Sequence, residues 1–103
     1  MNKAELKKKI IFARSVGQAV ATGIPSITSI DYVIFQSEVN EEWYTEFVVV
    51  HYLGGAVQAR DCTGNSCGAI FNEIGTMLYT SQKYPENTSM YLNMLETKKQ
   101  MEL

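Results

Sequence analysis

Apolar residues recur along the first part of the chain at Leu6, Ile10, Ala13, Gly17 and Val20. Steps of three and four put them on one face of a helix, predicted over about residues 3–22. Asn2 followed by Glu5 reads as a capping box, and Gly23 with Pro25 supplies the stop. The pattern then changes. The stretch from Ile27 to Gln36 is rich in Ile, Val, Phe and Tyr, and predicts a strand centred on 30–36. A polar turn runs from Ser37 to Glu41, and a second strand from Trp43 to Tyr52. Gly54-Gly55 signals a hairpin leading to a third strand at about 56–61. With a two-residue loop, Tyr52 opposes Val57, Val50 opposes Ala59 and Val48 opposes Asp61. The other side then pairs His51 with Gln58 and Val49 with Arg60.

Turn residues from Asp61 to Ser66 lead to a helix at about 67–80, capped by Asn65 or Ser66 and striped with Ile70, Phe71, Ile74, Met77 and Leu78. Pro85 breaks the chain. Asn87 or Thr88 caps a last helix running to about 100, with Met90, Tyr91, Met94 and Leu95 as its stripe. The expected fold is α+β: a helix, a three-stranded antiparallel meander with a Gly-Gly hairpin, then two helices packed on one sheet face. The apolar partners Val57 and Ala59 turn Val48, Val50 and Tyr52 toward the helices. That leaves Trp43, Phe47, His51, Gln58 and Arg60 on an outer sheet face.

Length and composition fit this picture. A chain of 103 residues, 46% hydrophobic and with a net charge of −2, suits one domain spanning 1–103 and excludes a disordered chain. No apolar run is long enough for a membrane span or a signal peptide, so a cytoplasmic location is expected. Cys62 and Cys67 are expected to be reduced thiols. Their spacing is not that of a redox pair, and with His51 as the lone histidine they make at most part of a metal site. No metal and no cofactor is expected. A general-base role for His51, in a small enzyme with a closed pocket, lacks a carboxylate placed by sequence to orient the ring, and strand spacing keeps Cys62 more than about 10 Å away.

Charge is lopsided. Residues 1–14 carry five basic residues and one acidic, whereas the rest carries four basic and ten acidic, with no Lys or Arg between residues 15 and 59. Lys3, Lys7 and Arg14 lie on one flank of the first helix, the candidate surface for phosphates. The order helix, three strands, helix resembles that of double-stranded-RNA-binding domains. Such a domain needs basic residues where this chain has Ser66-Cys67-Gly68-Ala69, which argues against that reading.

A second surface combines Glu41 and Glu42 with Trp43 and Tyr44, next to Phe47, His51, Gln58 and Arg60 on the outer sheet face. Aromatic anchors beside carboxylates suit protein recognition, with the charge steering a basic partner. The leading expectation is a non-catalytic module that binds another protein or a second copy of itself, with nucleic-acid binding through the first helix as the alternative. Its size and mixed composition resemble those of small inhibitors, carried by mobile elements, that act on nucleic-acid-handling or host-defence proteins, without a shared motif.

Overall fold

In the computed structural model, residues 3–37, 39–40, 43–79 and 84–102 are described, so Asn2, Glu38, Glu41, Glu42 and Leu103 lie outside the account. Helix α1 spans Lys3–Gly23. Strands β1 (Ile27–Gln36), β2 (Tyr44–Tyr52) and β3 (Val57–Asp61) follow, then helices α2 (Cys67–Tyr79) and α3 (Pro85–Thr97). The strands form an antiparallel meander in the order β1-β2-β3. The class and element order match the sequence expectation. Ser66 caps α2: its hydroxyl accepts from the Ala69 N–H at 3.3 Å.

The layering differs from the expectation. Alternate residues of β1 and β2 feed two separate cores, one on each face of the sheet. Ile30, Tyr32, Ile34, Val48 and Val50 pack with Leu6 and Ala13 of α1 and with Ile70, Ile74 and Met77 of α2. Val33, Phe35, Phe47, Val49 and Ala59 pack under Tyr91 of α3. The rings of Phe35, Phe47 and Tyr91 meet at centroid distances of 5.5–6.2 Å in edge-on or tilted geometry, the arrangement that aromatic quadrupoles favour. Two of the helices thus share one sheet face, and α3 covers the other. Its stripe of Tyr91 and Met94 needed an apolar surface, and Phe35 and Phe47 provide it.

The second departure is one of register. The hairpin loop has three residues, Leu53 to Gly55. Tyr52 N–H donates to Ala56 O at 2.9 Å, and Gly55 takes the positive φ of 93° that glycine tolerates. His51 therefore opposes Val57, Val50 opposes Gln58, Val49 opposes Ala59 and Val48 opposes Arg60. One extra loop residue moves every β3 side chain to the other face.

Both edges of the sheet are blunted. At β1 the chain end returns: Met101 N–H donates to Ile34 O at 2.8 Å, and Gln100 bridges Phe35. Beside it α1 lies so close that a Cβ on Gly17 would sit 2.8 Å from the Ile30 Cβ. At β3 the Thr88 hydroxyl accepts from Ala59 N–H at 3.0 Å, and Asn87 Oδ1 accepts from Asp61 N–H at 2.8 Å. These two residues, expected as helix caps, satisfy strand edge groups instead. Tyr84 precedes α3, Pro85 occupies its first turn, and no side chain caps it.

Candidate functional site

Of the eight residues expected to form one protein-binding surface, the six that the structure describes are not brought together on one exposed face. Phe47 is fully buried beneath Tyr91, because α3 covers the face expected to be open. Gln58 and Arg60 lie on the opposite face, as the three-residue hairpin loop requires. Gln58 is buried and accepts the Tyr52 hydroxyl at 2.9 Å. Arg60 pairs with Glu73 of α2 at 3.3 Å and stacks 4.5 Å from the centre of the Tyr84 ring. Tyr44 is half-buried against the α1–α2 core. Glu41 and Glu42 are outside the described residues.

Trp43 remains. Its side chain is on the surface, with the residue 62% exposed, and Val39 beside it in the turn is 89% exposed. The backbone that carries it is held at both ends. Ser37 N–H donates to Trp43 O at 2.9 Å, and Trp43 N–H donates to Asn40 O at 3.0 Å. The turn is braced further by the Ser37 hydroxyl, which accepts from Val39 N–H at 3.1 Å. An exposed indole on a braced turn loses little backbone freedom when it is buried by a partner.

His51 is partly exposed on the α3 side of the sheet, and the ladder supplies a carboxylate that the sequence did not place. Asp31 Oδ2 lies 3.3 Å from His51 Nε2. Ser29 is the cross-strand neighbour of His51. Asp31 also lines a concavity of about 430 Å³ between β1 and α1, together with Arg14 and Gln18 but without His51. The hydroxyl of Tyr91 is shifted upward by burial, with Asp31 adding to the shift.

Lys3, Lys7 and Arg14 are all exposed along α1, as the helical spacing expects. Lys7 and Arg14 overlook a groove closed on its other side by Gln100 and Met101 of the returning chain end.

Sequence reasoning missed a buried polar network beneath α1. Lys9 and Glu46, with side chains 7% and 2% exposed, form an ion pair at 2.9 Å. Glu46 also accepts the Tyr32 hydroxyl at 2.7 Å and Gly64 N–H at 2.9 Å. Burial, with Glu46 as neighbour, pushes the Tyr32 hydroxyl up. The pattern held the clue: Lys9 shares the stripe of Leu6 and Ala13, and Glu46 shares the strand parity of Val48 and Val50. Cys62, also in this core, has its thiol pushed up to about 12 by burial, with Glu73 adding to the shift. Burial thus favours the protonated thiol, the less nucleophilic form. Among the described residues, no cluster of three or more His, Cys, Asp or Glu side chains is placed to hold a metal ion. None of their helices is long and apolar enough to cross a membrane.

Comparison with protein families, curated protein sequences and solved structures finds no match for this chain.

Proposed function

We propose that this protein is a small non-catalytic module of the cytoplasm that binds another protein through the β1–β2 turn, with Trp43 as its anchor. The observation that carries this reading is the exposure of Trp43 and Val39 on a turn braced by backbone hydrogen bonds. Tryptophan is the side chain most enriched among interface residues that dominate binding energy, since a large rigid ring buries much area at small entropic cost. Glu38, Glu41 and Glu42 belong to the same turn in sequence, so the partner surface is basic and the charges accelerate encounter. A regulator that occupies the basic working surface of a nucleic-acid-handling protein fits this combination.

The test is affinity capture of the tagged protein from its source cells, with and without nuclease. A stoichiometric protein partner should persist after nuclease treatment and fall at least tenfold with Trp43→Ala, while Arg14→Glu leaves it in place. Capture that vanishes with nuclease and with Arg14→Glu would transfer the function to the exposed basic flank of α1.

A further inference from the structure

At the opposite end of the sheet, a cavity of about 490 Å³ is lined by Tyr52, Ala56, Val57, Gln58, Tyr84, Pro85 and Thr88. That volume lies within the ordinary range of ligand sites. The β2–β3 ladder decides what the cavity offers. Tyr52 pairs with Ala56 and Glu46 with Cys62 through backbone bonds, so even-numbered residues of β3 point their N–H and C=O groups at β2. Those of Val57, Ala59 and Asp61 point away from it. Thr88 satisfies both groups of Ala59, and Asn87 takes the N–H of Asp61. Among the described residues, nothing pairs with the outward N–H and C=O of Val57. The first turn of α3 stops one rung short, and the cavity opens on the rung it leaves.

We propose that this cavity binds an extended peptide segment, which pairs its own backbone N–H and C=O with those of Val57. Such a ligand adds one rung to the sheet, the chemistry by which exposed strand edges take up peptides. Side-chain selectivity comes from two tyrosine walls. Tyr52 is fixed by its hydroxyl bond to Gln58, and Tyr84 by the Arg60 guanidinium stacked on its ring. Both rings, together with Pro85 and Ala56, favour an apolar or aromatic side chain between them. A strand from a second folded copy would collide with Thr88 and Asn87 beside the rung, so the occupant is a flexible segment that can cross it and leave. The site is about 27 Å from Trp43 along β2 at the usual strand rise, and does not depend on that anchor.

The probe is a displayed library of random heptapeptides selected on the whole protein, with enriched peptides synthesised and titrated into the labelled protein by NMR. The expected result is a shift of the Val57 amide and of the Tyr52 and Tyr84 rings. N-methylation at one peptide position should cost at least tenfold in affinity. Ala56→Trp, which fills the cavity from an exposed position, should do the same while the Ala59 and Asp61 amides stay unshifted, and Trp43→Ala should leave binding unchanged. Three results would overturn the proposal: no enrichment, peptides that bind Ala56→Trp equally and perturb other residues, or a Val57 amide that responds only to protein concentration. The last would identify a second copy as the occupant.

Discussion

At the scale of single residues, the most consequential placement is that of Lys9. It sits at a core position of α1, where its ammonium is matched by the Glu46 carboxylate, which is itself held by Tyr32 and Gly64. A buried pair is costly to assemble but more costly to break, because removing one partner strands the other charge. Lys9→Met should therefore destabilise the fold by about 3–5 kcal/mol in urea denaturation. Adding Glu46→Gln to that variant removes the orphaned charge and should recover part of the loss. If Lys9→Met alone were neutral, the pair would have to be open to solvent. Both positions were legible from periodicity, but the charge of Lys9 groups it in sequence with its basic neighbours Lys7 and Lys8. What pairs with it depends on a contact across 37 residues, which periodicity does not carry.

At the scale of elements, helix and strand boundaries were legible almost throughout, because each element has its own period and its own punctuation. What was not legible was the loop between β2 and β3. Gly54-Gly55 fits a two-residue or a three-residue turn, and the two differ by one register step. That step turned Gln58 and Arg60 away from His51. It also hid the Tyr84 ring on which the Arg60 guanidinium stacks, and the Glu73 carboxylate of α2 that pairs with it. The loss of Phe47 from the candidate surface has another cause. Both faces of β2 are apolar, and the sequence leaves open which helix covers which. The contact between α1 and β1 is sharper. Gly17 allows the helix backbone to approach Ile30, and a methyl group there would meet both the Ile30 side chain and its carbonyl oxygen, the latter at 3.0 Å. Gly17→Ala improves helix propensity yet should destabilise the protein by roughly 1–3 kcal/mol, the usual cost of overpacking. Thermal unfolding decides between the two effects: a raised midpoint would mean that α1 does not pack at this distance.

At the scale of the whole molecule, two thin cores share one three-stranded sheet, and several weakly acidic groups are buried in them. Burial raises the Cys62 thiol to about 12, and shifts the hydroxyls of Tyr32, Tyr52, Tyr84 and Tyr91 upward. Each group keeps its proton in the folded state at a pH where the unfolded chain has lost it. Their stabilising contribution is complete below the unfolded values, 9.0 for the thiol and 10.0 for the tyrosines, and declines as pH rises through the folded ones. The decline is about 1.4 kcal/mol per pH unit for each group while only its unfolded form is ionised. Denaturation midpoints should therefore be level from pH 7 to 8.5 and fall from about pH 9 upward. Cys62→Ala should show a shallower fall between pH 9 and 10, where the thiol acts first. A slope unchanged by that substitution would show that Cys62 is not buried as described.

With both faces of the sheet covered, the β1–β2 turn holds the chain's one tryptophan out to solvent, as α2 holds Phe71 and Tyr79. The most direct test keeps Trp43, puts a photo-crosslinking amino acid at position 39 of the same turn in the intact protein, and at position 14 as the comparison, and irradiates cells that express each form. One discrete protein adduct is expected at position 39, insensitive to nuclease, and none at position 14. Adducts to nucleic acid at position 14, with none at position 39, would contradict the proposed function.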